Sequence, residues 1–473
     1  MKAAISDDLF FATLGELNAK LRAREISAVE LTRAFAQRLE TLGPRYNALA
    51  LPLTKQAVRA AQAVDKEFKR ERFRGPLQGI PFGAKDLLAY RGHPTTWGAK
   101  PYAEQVFDYD ATALVKLEKA GALLIGKLSM VELAGGGGYR FPAASLFGPG
   151  LNPWDRTRWS GGSSSGSGSA VAAGLVPFAL GSETNGSILS PSASCGVTGL
   201  RPTYGLVSRH GAMALAWSLD KIGPMCRSAE DCAFVLQAMS GADSKDPASA
   251  GKSFYYTPQF YKPVKQLRIG YSPSDFSEWA QPAARPAFEK ALAVIRETGA
   301  KLVETQLPDF PYSTLTGTII NAEMASIFEP LIASGKVDEL ADKKQIAGLK
   351  ASLELPAKDY LKAMRLRTLV QHAMRKLFID IDVLLAPSRP GPATKLDEAL
   401  DRNPPPALKG LNNLTSAGNL AGLPALSLPC GFADQLPVAL QVVGRPFSEN
   451  MLIMVGKEFQ SRTDWHRQRP PAA

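Results

Sequence analysis

The run from residue 160 to 191 limits what this chain can fold into more than any other stretch. It reads Ser-Gly-Gly-Ser-Ser-Ser-Gly-Ser-Gly-Ser, then eleven uncharged and mostly apolar residues, then Gly-Ser-Glu-Thr-Asn-Gly-Ser-Ile-Leu-Ser-Pro, with no Lys or Arg throughout. A Gly/Ser tract is ordinarily a flexible linker. A linker does not run straight into an apolar segment such as 170–180, which reads as a buried helix or strand. Glycine at this density instead lets backbone approach a ligand closely. Phosphate-binding readings fail. A P-loop closes on Gly-Lys-Ser/Thr, whereas the turn here is Asn185-Gly186-Ser187-Ile188. A dinucleotide fingerprint needs a third small residue after Gly166-x-Gly168, and Val171 stands there.

Around this tract, strand patterns at 122–126, 267–271, 302–305, 383–386, 425–429 and 438–443 alternate with helix patterns at 111–120, 286–298 and 359–377. Such alternation predicts an α/β fold: a single large domain, 1–473, with a central mixed, mostly parallel β-sheet covered by helices. Thr13-x-x-Glu16 and Ser27-x-x-Glu30 are capping boxes that open two helices within an N-terminal portion, 1–75. Residues 76–242 form the motif-rich core. Residues 243–380 read as a variable helical segment that builds the substrate pocket, and 381–473 return to the core sheet.

The 55 basic residues exceed the 44 acidic ones, for a net charge of +11. The one dense basic run, 66–74, is interrupted by Glu67 and Glu71 and reads as a solvated helix face, so no nucleic-acid partner is expected. Cys195, Cys226, Cys232 and Cys430 sit at no metal-ligand spacing and fit a reducing compartment. The first residues lack an apolar signal core and no stretch is apolar enough to span a bilayer, so the expected location is cytoplasmic, with no membrane contact.

Catalytic side chains are narrowed by elimination. The histidines, His93, His210, His372 and His466, pair with no Gly-x-Ser-x-Gly elbow and form no His-Glu-x-x-His. What remains is serine with lysine. Lys85 lies in Gly-Ile-Pro-Phe-Gly-Ala-Lys-Asp-Leu-Leu, among small and apolar residues. A desolvated lysine loses its proton more readily and can act as a base, although one whose head reaches water would do nothing of the kind. A hydroxyl between such a base and a serine nucleophile can relay the proton, because it both donates and accepts.

Several blocks together resemble the amidase signature hydrolases over nearly the whole chain: 79–86, 120–127, 161–174, 181–187, 195–203, 218–224, 419–429 and 441–446. The resemblance implies roles. Lys85 matches the base, Ser163 the bridging serine after a cis peptide bond, and Ser187 the acylated nucleophile. The backbone N–H groups of Thr184, Asn185, Gly186 and Ser187 match the oxyanion hole. The implied activity is hydrolysis of linear amides, with esters, carbamates and urethanes accessible to the same relay, and with neither metal nor cofactor.

Three departures stand near the nucleophile. Asn185 replaces a frequent Gly, Glu183 a commoner Asp, and Leu189 a frequent Arg that contacts carboxylated substrates. Leucine offers an anion no charge-assisted hydrogen bond, so a neutral, fairly apolar acyl pocket is expected, walled by Gly135, Gly136, Gly137, Leu189 and Trp217. The expected partner is a small-molecule amide, met by a monomer or homodimer. The same resemblance allows two alternatives: the amidase component of a glutamyl-tRNA amidotransferase-like complex, and a catalytically inactive binding protein on this fold.

Overall fold

A computed structural model describes residues 6–400 and 408–471. Eleven strands form one sheet. They are β1 (Leu49–Pro52), β2 (Pro81–Lys85), β3 (Leu123–Leu128), β4 (Ala179–Glu183), β5 (Thr198–Arg201), β6 (Lys221–Cys226), β7 (Arg268–Tyr271), β8 (Lys301–Glu304), β9 (Val383–Pro387), β10 (Ala425–Ala433) and β11 (Leu436–Gly444), in the order β1-β3-β2-β4-β6-β5-β10-β11-β9-β7-β8. β2 to β6 and β9 are buried along their length or nearly so, as expected of strands covered on both faces by helices.

The sheet is mixed, but the expected parallel majority is corrected. Four neighbouring pairs run parallel (β2–β3, β2–β4, β7–β8, β7–β9) and six antiparallel. The reason is local. β10 and β11 form a hairpin turning through Asp434 and Gln435, both with positive φ, and this hairpin is inserted between β5 and β9 in antiparallel register to both.

The Gly/Ser tract is a structural element, not a linker. Its helix, Ser165–Ala172, is buried at every residue. Gly166 shows why side chains are excluded: a Cβ there would lie 2.6 Å from the Ala48 carbonyl oxygen and 2.7 Å from the Ser129 amide. The helix therefore nests against the end of β3, and the apolar run that follows turns directly into β4. Both capping boxes form as read, with Thr13 and Ser27 accepting from the Glu16 and Glu30 amides. All four cysteines are buried and unpaired. Among the described residues, no helix is long and apolar enough to cross a membrane, and no cluster of His, Cys, Asp or Glu could hold a metal.

Candidate active site

The site is assembled at the carboxyl ends of two adjacent parallel strands. In β2 and β4, Ala84 pairs with Leu180, which sets Lys85, the last residue of β2, beside Ser182 near the end of β4. Ligand sites in open α/β sheets favour this end. Lys85 is fully buried. Its Nζ lies 2.7 Å from Ser163 Oγ and 2.9 Å from Ser182 Oγ. The adjacent carboxylate, Asp86, is engaged elsewhere, at 2.7 Å from the buried Lys127 amine. Burial lowers the Lys85 pKa to about 7 against the upward pull of the Asp220 and Glu183 charges. The lysine is therefore poised to be neutral near neutral pH.

The Gly162–Ser163 peptide bond is cis. Ser163 is buried, and the next residue ties its turn to the nucleophile segment, with the Ser164 N–H donating to the Ser187 carbonyl at 3.3 Å. Ser187 is 9% exposed, and its hydroxyl has no hydrogen-bond partner among the described residues. The turn that carries it needs Gly186, whose φ of +89° lies in the left-handed region. The N–H groups of Asn185, Gly186 and Ser187 meet no protein acceptor among the described residues. They are free to meet an oxyanion. Asn185 itself is exposed, and its side-chain oxygen accepts from Ser416 and Asn419 at 3.4 and 3.5 Å.

Glu183 fixes this turn from below. Its Oε2 accepts from the Ile188 and Leu189 amides at 2.8 and 3.0 Å, while its Oε1 pairs with Arg201 Nη1 at 2.8 Å and accepts from Asn419 at 3.0 Å. Burial pushes its carboxyl pKa up. The charges of Arg201 and Lys221 and the hydrogen bonds from Arg201 and Asn419 outweigh burial and hold it at about 2. Breaking such a pair strands a buried charge. Glu183→Gln is expected to destabilise the fold by about 3–5 kcal/mol, measured by urea unfolding; a loss below about 0.5 kcal/mol, within the usual range for surface substitutions, would show the pair to be dispensable.

Asp220 plays a similar part on the other flank. Its Oδ1 accepts from Thr184 Oγ1 at 2.5 Å and its Oδ2 from the Leu215 and Ala216 amides at 2.8 and 3.0 Å. It thereby holds the segment leading to Trp217 against the nucleophile turn. Ser182, Asp220 and the Glu183–Arg201 pair were not read as site residues from sequence. Their sequence signal was membership of the blocks at 181–187, 195–203 and 218–224, with Glu183 noted only as a departure from the commoner Asp.

The expected pocket walls fare unevenly. Trp217 is 43% exposed and, with Leu215, Ala134 and Thr184, lines a cavity of about 180 Å³ that reaches Ser182, the hydroxyl bonded to Lys85. Gly136 and Gly137 serve close packing: side chains there would strike Leu215 and Met324, and the Gln345 carbonyl, respectively, while Gly135 is crowded by Tyr139. Leu189 is 2% exposed and packs in an apolar cluster with Ala216, Leu219 and Leu315, away from any opening. Sequence reasoning missed Arg389, which lies two residues beyond β9 and donates from Nη1 to Ser190 Oγ at 3.0 Å.

A buried lysine bonded to Ser163 and Ser182 beside a Gly/Ser turn at the strand ends is a site fit for serine-based acyl chemistry. The family model for amidases matches residues 30–453, and the chain belongs to that family. Among its relatives is the GatA-type component of the glutamyl-tRNA(Gln) amidotransferase of Chloroflexus aggregans, 37% identical over 489 residues, covering 98% of this chain and 99% of that protein. Similar solved structures include the native peptide amidase of Stenotrophomonas maltophilia, 31% identical with a TM-score of 0.83 over 98% of each chain. Another belongs to a vestigial protein complex bearing on the origins of an s-triazine catabolic enzyme, 29% identical with a TM-score of 0.87 over 98% of this chain and 100% of that one. The expectation of a small-molecule amide handled by a monomer or homodimer, with no nucleic acid, is corrected by these relatives. The full-length match is to a protein named as one component of a glutamyl-tRNA(Gln) amidotransferase.

Proposed function

We propose that this chain cleaves a carboxylic amide through an acyl-enzyme on Ser187, and that it does so as the amide-hydrolysing component of an amidotransferase-like assembly. The observation that carries the chemistry is the 2.7 Å contact between the Lys85 amine and Ser163 Oγ, buried together and free of any carboxylate in contact. Ser187 Oγ attacks the amide carbonyl. Its proton passes to Ser163 Oγ as the Ser163 hydroxyl proton passes to the neutral Lys85 amine. The oxyanion is received by the N–H groups of Asn185, Gly186 and Ser187, with Thr184 at the edge, where each donor is worth roughly 3–4 kcal/mol. The proton then returns through Ser163 to the leaving amine, and water repeats the sequence on the ester. Esters and carbamates present the same carbonyl to the same groups.

The assembly is supported by 37% identity to an amidotransferase component along 98% of the chain. Affinity purification of the tagged chain from its native host, followed by size-exclusion chromatography, tests it. Co-elution with a second protein that raises turnover is expected. A chain that elutes alone and reaches full turnover alone would overturn this part of the proposal and leave the acyl-enzyme part standing.

A further inference from the structure

Two of the sequence blocks, 419–429 and 441–446, are only partly used by the site. Asn419 holds Glu183, and Gln441 accepts from Thr415. Ala421, Leu423 and Arg445 instead line a groove of about 890 Å³ that contains no residue of the relay or of the oxyanion turn. Its other walls include Arg268, the first residue of β7, Asp382, just before β9, and the closing turns of the helix Ala357–Asp380.

The groove is apolar beneath and basic around. Met374, Phe378, Leu423 and Met451 line it while buried. Phe260 and Ile379 line it at 81% and 70% exposure, more than any other large apolar side chain among the described residues. Exposed apolar groups gathered on one cavity mark an interaction site. Asp382 is the one carboxylate on the lining, and Arg268 holds it at 3.3 Å. Lys262, Arg375 and Arg445 are exposed on the same lining and form no ion pair among the described residues. A small apolar ligand would leave these three cations unanswered. A bare polyanion would leave Phe260 and Ile379 in water. An acidic segment with one apolar face answers both: its apolar face seats on an adaptable floor that includes two methionines, and its carboxylates meet the cations.

The groove is one short helix away from the nucleophile turn. The helix Leu414–Leu420 carries Thr415, whose methyl a Cβ on Gly186 would meet at 3.5 Å, and Asn419, which bonds to Glu183 at 3.0 Å. Ala421 caps that helix and lines the groove. An occupant of the groove therefore lies against the end of the helix that backs the nucleophile turn.

We propose that this groove is the docking site for an acidic, amphipathic segment of the second protein in the assembly. This rests on the assembly reading above and gives that assembly its contact surface. The complex isolated with the tagged chain tests it. The complex is treated with nuclease, then with a zero-length carbodiimide that joins amines to carboxylates, and mapped by mass spectrometry. Lys262 is expected to be joined to an Asp or Glu within an apolar and acidic stretch of the second protein. Arg375→Glu with Arg445→Glu, and separately Phe260→Ser with Ile379→Ser, should each weaken the complex by about tenfold or more and remove the gain in turnover that the second protein brings, with unfolding midpoints unchanged. Lys69→Glu with Arg72→Glu, the same change of charge placed in the run 66–74, should leave the affinity within about threefold. Unchanged affinity in either groove variant, equal weakening by the 66–74 variant, a Lys262 adduct only to another copy of this chain or to nothing, or a complex that nuclease disperses would overturn the inference. A second protein that stays bound to both groove variants would leave the assembly reading standing. A wild-type chain that elutes alone would sink that reading and the docking site with it.

Discussion

Ser187→Ala is expected to lower kcat by about 10⁴-fold or more, with unfolding midpoint and oligomeric state unchanged. The size of the effect follows from what is removed. Without the hydroxyl there is no atom to form the acyl bond, and the donors and binding surface that remain give only the residual rate they would give to water. The structural cost is small, because the Ser187 hydroxyl makes no hydrogen bond that the fold depends on. Ser163→Ala should also lower kcat by orders of magnitude while leaving KM close to its wild-type value, since Ser163 passes a proton and is only 2% exposed. The double variant should be little worse than Ser187→Ala, because the groups act as one unit. Additive losses would mean that the two serines serve separate steps.

Lys85→Met is the second large effect. Methionine fills most of the space of the lysine stem, so the buried site keeps its packing while losing its base. A fall in kcat of roughly 10²–10⁴-fold is expected, the range for removing a general base. The pH profile gives the sharper check. Burial lowers the Lys85 pKa from 10.5 to about 7. The active, neutral form therefore disappears as pH falls, and kcat/KM of the wild type should show an acidic limb near pH 7 that Lys85→Met lacks. The stability linkage has its own sign. Between about pH 7 and 10.5 the unfolded chain holds a proton on this lysine that the folded chain does not, so stability from this group rises with pH across that window, and Lys85→Met should flatten the rise. A wild-type profile with its acidic limb near pH 4–5 would assign the base role to a carboxylate.

The segments that carry Lys85, Ser163 and Ser187 stood out in the sequence, while the roles of the two serines came from the resemblance to the amidase signature hydrolases. Lys85, Ser163 and Ser187 sit in segments whose composition is wrong for a surface: a lysine among apolar residues, and a Gly/Ser tract running into an uncharged stretch. The structure explains the composition, because the helix Ser165–Ala172 is wedged where a single Cβ at Gly166 would collide with backbone. The parallel share of the sheet was overestimated, because alternating helix and strand patterns do not reveal that the β10–β11 hairpin inserts between β5 and β9. Arg389 was not legible at all. Its chain neighbours are Ser and Pro, and nothing local marks it; only the register of β9 against β11, which sets Pro387 opposite Leu440, delivers it to Ser190 from almost two hundred residues away. Leu189 was read as a pocket wall because it follows the nucleophile by two. The turn held by Glu183 instead rotates it into the apolar cluster. The interrupted basic run at 66–74 was read as excluding a nucleic-acid partner, and that reading is overturned by a full-length relative named for a tRNA-linked amidotransferase.

Peptide mapping by mass spectrometry, after brief exposure to a serine-reactive fluorophosphonate, puts the central claim to its most direct test. A single adduct on the peptide bearing Ser187, much slower to form in Ser163→Ala and Lys85→Met, is the predicted result. Labelling of a different serine, or labelling of Ser187 at the same rate in all three proteins, would contradict it.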